Sequence, residues 1–224
     1  LGDKIDQCVA DCNVTVRPCD FETGHHFHTA CPKSNGHKVH NAVRAVVVEM
    51  YRAVHEAVTV EAGGLYTQGS GRPADVLVCP STHDTPKFQA LDVGISCPTT
   101  KTALSNQAAV KALAAADSYA KTKTQNHLDR ADLSTLDFDV VPLVFESSGA
   151  MGTRTQKWWK EMKVLDRKIN AGPDGGVSPI LGADQYSWAA QRFPEFWTQR
   201  LSFTVASQLA ELVSAMTSRC LKGV

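Results

Sequence analysis

The sequence predicts an α/β (α+β) fold: a mixed central sheet of about four strands flanked by helices. A small Cys/His segment precedes this core and a helical extension follows it. Two patterns carry the expectation. Segments with helical apolar spacing alternate with short runs of branched aliphatics, in the order helix, strand, strand, strand, helix, strand, helices. The helix linking the third strand to the fourth points to a mixed sheet flanked by helices.

Composition sets the bounds. With 224 residues, 43% hydrophobic and 21% charged, the chain can bury one sizeable core. Lys and Arg balance Asp and Glu at 23 each, so a broadly basic nucleic-acid binder is excluded while a local basic groove is not. No apolar run approaches the roughly 18 residues of a membrane span. No charged n-region with an apolar stretch opens the chain, so no signal peptide is expected, and a start at Leu1 suggests a fragment or a processed chain.

The expected organisation is a Cys/His segment over 1–36, a core over 37–169 and an extension over 170–224 packed on that core. In the first segment Cys8, Cys12, Cys19, His25, His26, His28 and Cys31 offer more soft ligands than one zinc needs. Cys12, Cys19, His26 and Cys31 are the preferred set. Cys8 can replace a cysteine, and His25 or His28 can replace His26. A segment so poor in apolar residues has little else to fold around.

Apolar residues from Val39 to Ala57 recur at helical spacing, which predicts a helix with a broad buried stripe. His40 and Asn41 open it. Asn41 suits a cap, and His40 suits either a structural cap region or a phosphate contact. Glu49 and Glu56 are expected in solvent. A short strand follows at 58–61, then a glycine-rich loop.

The next stretch carries the chemistry. Arg-Pro-Ala-Asp-Val-Leu-Val, from Arg72, and Ala-Leu-Asp-Val-Gly-Ile-Ser, ending at Ser96, each set one acid among branched aliphatics. A carboxylate in a core strand is costly unless it is paired or holds a metal. Asp75 and Asp92 on adjacent strands can point at one spot, and hard divalent cations prefer carboxylate oxygens. Strand-end caps or ion pairs are the alternative, with Arg72 close to Asp75. A helix is expected over 103–126, with Lys121 and Lys123 near its far end. The run Phe138 to Glu146 reads as a buried strand ending in a carboxylate. A helix over about 152–169 begins with Arg154, Lys157 and Lys160. A final helical stretch, 185–220, is broken at Pro194.

Taken in order, these features resemble the restriction-endonuclease-like PD-(D/E)XK superfamily. More narrowly they resemble the C-terminal endonuclease domain of non-LTR retrotransposon reverse-transcriptase polyproteins. The matching stretches are Gly-His-His-Phe-His-Thr-Ala-Cys ending at Cys31, Val-His-Asn-Ala-Val from Val39, and Arg-Pro-Ala-Asp ending at Asp75. Ala-Leu-Asp-Val around Asp92, Lys121 and Lys123, and Val-Pro-Leu-Val-Phe-Glu-Ser-Ser-Gly ending at Gly149 complete the series. The resemblance spans roughly residues 12–210. There are departures: Ala74 separates Pro73 from Asp75, and Gly94 stands where many members carry the lysine of Glu-X-Lys. In the retrotransposon branch that lysine sits on the following helix, though the usual Lys-X-X-Lys-Tyr pattern is not reproduced.

The resemblance implies a nuclear, Mg2+- or Mn2+-dependent endonuclease that nicks DNA for target-primed reverse transcription. Structural Zn2+ would sit in the first segment, and an upstream reverse transcriptase domain with its RNA would be the partner. No membrane is involved. Asp75 and Asp92 would hold the metal, with the Val93 carbonyl as a further donor. Lys121 or Lys123 would orient water or offset phosphate charge, and Glu146 would be an outer ligand. Arg72, His40 and Arg154 would contact nucleic acid. The alternative is a decayed or domesticated nuclease fold serving as a nucleic-acid-binding or structural subunit.

Overall fold

A computed structural model describes residues 36–54, 56–63, 74–79, 87–129, 138–170 and 193–222. The proposed zinc ligands (Cys8, Cys12, Cys19, His25, His26, His28 and Cys31) and Arg72 lie outside the described residues. Among the described residues no helix is long and apolar enough to cross a membrane.

Helix α1 spans Gly36–Ala53. Its apolar residues fall three or four apart, and Val39, Val43, Val46, Val47, Met50 and Val54 are all buried. Valine is a mediocre helix former, so burial rather than propensity holds this helix. It starts three residues before the expected Val39 and stops short of the expected Ala57. The Glu56 amide turns back to the Tyr51 carbonyl at 3.0 Å, and Ala57 already belongs to strand β1, Ala57–Val60. Strands β2 (Val76–Cys79) and β3 (Phe88–Ser96) follow.

The three strands form antiparallel neighbours, β1 with β2 and β2 with β3. After the crossover, β4 (Phe138–Glu146) pairs in parallel with β3, with Asp92 beside Pro142 and Ser96 beside Glu146. The order β1-β2-β3-β4 is the mixed four-stranded sheet that the sequence predicts.

The crossover corrects one expectation. Instead of one helix over 103–126, a short helix α2 (Lys101–Ser105) is separated by turns from helix α3 (Ala114–Leu128). Gln107 and Leu113 adopt positive φ, which ends helical propagation. Val110 is 85% exposed, so no core contact holds the intervening residues helical.

The two faces of the sheet differ. Val76, Val78, Leu91, Val93, Val141, Leu143 and Phe145 pack beneath α1, helix α4 (Thr153–Asn170) and helix α5 (Phe193–Lys222). On the opposite face α3 lies on β4 through Ala116, Ala120 and Val144, small enough for close approach. In the first layer Trp158 Nε1 donates to Tyr51 Oη at 2.8 Å, and Tyr51 donates to Gln89 Oε1 at 3.2 Å. Burial pushes the Tyr51 phenol above its ordinary value, more than the hydrogen bond from Trp158 lowers it.

Pro194 does not break the last helix. It stands in the first turn of α5, where its missing N–H has no partner to lose. The helix then runs unbroken to Lys222 and packs along α1, with Arg200 Nη2 2.5 Å from Glu49 Oε2. Phe203 on this helix is 59% exposed. Glu49 is therefore paired rather than simply solvated, and Glu56 is buried.

Candidate metal and phosphodiester site

Asp75 immediately precedes β2. The β2–β3 register pairs Val76 with Leu91. The Asp75 amide also donates to the Leu91 carbonyl at 2.9 Å, which holds Asp75 against β3 at the end of that ladder. Both carboxylates line one cleft of about 480 Å3, with His40 and Arg44 of α1, Gly94 of β3 and Lys123 of α3.

Each carboxylate is held from both oxygens. Asp75 Oδ2 accepts from the Val93 amide at 2.7 Å, and Asp75 Oδ1 lies 3.1 Å from His40 Nε2. Lys123 Nζ donates to Asp92 Oδ1 at 2.5 Å, and His127 Nε2 lies 3.2 Å from Asp92 Oδ2. Burial alone would raise the Asp92 carboxyl. The His127 hydrogen bond and the Lys123 charge outweigh it and hold Asp92 below its ordinary value, so it is ionised near neutrality. At the rim, Arg44 pairs with Glu61.

Helix geometry chooses between the two candidate lysines. Tyr119, Lys123 and His127 recur every four residues and share the face turned to β3. Lys121 is about half a turn away and exposed. Gly94 completes the fit: a Cβ there would stand 2.7 Å from Lys123 Cε and 2.9 Å from Tyr119 Cε1. The strand position that lacks a lysine thus makes room for the lysine arriving from the helix.

Other expected residues are not gathered here. Glu146 pairs with Ser96, four positions beyond the Asp92 pair and so about 13 Å along the strands. It does not line the cleft. It is 7% exposed, and its Oε1 has no hydrogen-bond partner among the described residues. Arg154 is exposed in the first turn of α4 and also lies outside the cleft lining. His40, weighed as a phosphate contact or a structural group, sits on Asp75. Sequence reasoning missed His127, although its four-residue spacing from Lys123 was a legible signal.

The donor set suits a hard cation. Each aspartate oxygen accepts one of the hydrogen bonds above and keeps a further lone pair. Among the described residues no three His, Cys, Asp or Glu side chains form a ready cage. Two carboxylates with water and phosphate oxygens are nonetheless a usual magnesium environment. No protein-family model and no curated protein matches this sequence.

Proposed function

We propose that the chain is a metal-dependent endonuclease with a restriction-endonuclease-like core. One observation carries the reading: Asp75 and Asp92 face one cleft across a single β-ladder, and Lys123 reaches the second of them. The helix–three strands–helix–strand order supports it.

Asp75 and Asp92 would hold Mg2+ or Mn2+, which supplies Lewis acidity and an acidified water when bound. The protein's own groups do the rest. His40 and the Val93 amide fix the Asp75 carboxylate. Lys123 places a positive charge where a scissile phosphate gains negative charge. His127 Nε2, 3.2 Å from Asp92 Oδ2, keeps that carboxylate oriented. A phosphodiester in the cleft would meet His37, Arg44 and Lys123 at its walls.

The wider role we infer is nicking of nuclear DNA for target-primed reverse transcription, beside an upstream reverse transcriptase and its RNA. A structural zinc on Cys12, Cys19, His26 and Cys31 belongs to the same proposal. Metal analysis of the purified chain should find about one zinc, lost in Cys12→Ser/Cys31→Ser.

One observation favours the second reading, a decayed nuclease fold retained as a binding or structural subunit. Lys123 and His127 already compensate Asp92 from within the chain. Nicking of supercoiled plasmid separates the two. Activity with magnesium, lost in EDTA and in Asp75→Ala/Asp92→Ala, is expected of the nuclease. Folded, zinc-loaded protein that nicks nothing would favour the subunit.

A further inference from the structure

A second cleft, of about 380 Å3, adjoins the first. Ile95 and Tyr119 line both. The two differ in charge. Asp75, Asp92, Glu61, Arg44 and Lys123 line the first, whereas no Asp, Glu, Lys, Arg or His side chain is among those lining the second. Val39, Ile95, Leu209 and Leu212 give the second cleft apolar walls. Thr102, Asn106, Ser118 and Thr122 set hydroxyls and one amide among them.

A neutral lining of this kind rejects a phosphate, whose charge would lose its hydration without a counter-charge. It suits a flat, uncharged group with donors and acceptors along its edge, and the volume lies within the range of small-molecule sites. Asn106 Nδ2 donates to Ser118 Oγ at 3.1 Å, which fixes the amide while its oxygen remains available as an acceptor. Tyr119 stands at the junction of the two clefts. Its ring lies against Gly94, carries Lys123 Nζ 5.1 Å from its centroid, and is 40% exposed. An accessible ring next to a cation is a stacking platform for a base attached to a nearby phosphate.

We propose that the neutral cleft takes one unstacked nucleobase of the strand whose phosphodiester lies at Asp75 and Asp92. The preferred substrate is then a strand that is unpaired, or easily unpaired, beside the scissile bond. This rests on the nuclease reading above and adds a specificity site to it. A base held in this way must leave its stack, and that cost is smallest for mismatched or single-stranded positions.

The test uses the full chain with three DNAs: a single strand, a duplex with one mismatch at the cleavage position, and the matched duplex. With magnesium, kcat/KM for the first two should exceed that for the matched duplex by at least about tenfold, because the unstacking cost is spared. Thr102→Trp, which fills the cleft from its exposed rim, should reduce that ratio to near one. Asn106→Ala should lower it while altering the surface least. Val110→Trp, outside both clefts, should leave it intact. Equal cleavage of all three DNAs overturns the inference, as does a preference that survives Thr102→Trp and Asn106→Ala.

A second arm needs no turnover. With Ca2+ in place of magnesium, 2-aminopurine at the cleavage position should brighten on binding wild-type protein and stay dim with Thr102→Trp. If no DNA is nicked, the nuclease reading fails, and this arm alone decides the base cleft: brightening lost in Thr102→Trp supports it, and no brightening overturns it.

Discussion

Gly94 is the smallest residue in the proposed site and constrains it most tightly. A methyl group there must displace Lys123 Cε and the Tyr119 ring. Both are flexible side-chain atoms, so Gly94→Ala should fold with little change in Tm. Its nicking rate should fall about 10- to 100-fold, the scale of a misplaced catalytic group. Lys123→Ala should cost at least about 100-fold in kcat, as loss of one charge-stabilising donor does. Lys121→Ala should cost nothing measurable, because that side chain is exposed on another face of α3. Asp92 adds a pH dependence with a definite sign. Its folded carboxyl lies below the ordinary 3.8, so the stabilisation is present above 3.8 and is lost as pH falls through the folded value. The urea midpoint of wild type relative to Asp92→Asn should therefore hold steady near neutrality and fall in acid below about pH 4.

At the scale of elements, the outer edge of β4 shows how the sheet ends. Among the described residues β4 has a strand neighbour on one side only. The chain after it turns back, bridges Phe145 with Met151, and returns the Gly152 amide to the Val144 carbonyl at 2.9 Å. Thr155 of α4 then accepts from the Val144 amide at 2.8 Å and donates to its carbonyl at 3.0 Å. One side chain thus satisfies a backbone donor and an acceptor that an open edge would offer to another strand. Thr155 is 1% exposed, so no water replaces it. Thr155→Val keeps the shape and removes the hydroxyl, and should lower unfolding free energy by about 2 kcal/mol in urea titrations. The crossover teaches a different lesson. Its apolar residues have helical spacing, yet the residues between α2 and α3 are turns, because Val110 has nothing to pack against. Periodicity marks a helix only where a partner surface exists.

For the whole molecule, α5 shares its core with the sheet. Phe193, Phe196, Trp197, Leu201, Val205 and Leu209 join the same buried cluster as Leu91 and Leu143. The described part of the expected extension thus packs into the same buried cluster as the sheet. Unfolding followed by tryptophan fluorescence and by far-UV circular dichroism should coincide, because Trp158, Trp159 and Trp197 report on one cluster. Leu201→Ala should lower the stability of that whole unit by about 2–5 kcal/mol.

The end of β3 at Ser96 and the span of β4 from Phe138 to Glu146 are legible in the chain, since short runs rich in branched aliphatics and bounded by turn signals read as buried strands. The sequence also marked Asp75 and Asp92, because an acid among branched aliphatics is anomalous in the chain itself. Which side chains answer those acids depends on packing. Lys123 and His127 reach Asp92 from 31 and 35 residues away, and His40 reaches Asp75 from the first helix. Glu146 is expected as an outer ligand, yet strand register carries it past the cleft. Strand propensity and an out-of-place charge are local properties. The meeting of side chains depends on register, helix phase and the space that Gly94 leaves, which exist only once the chain has packed.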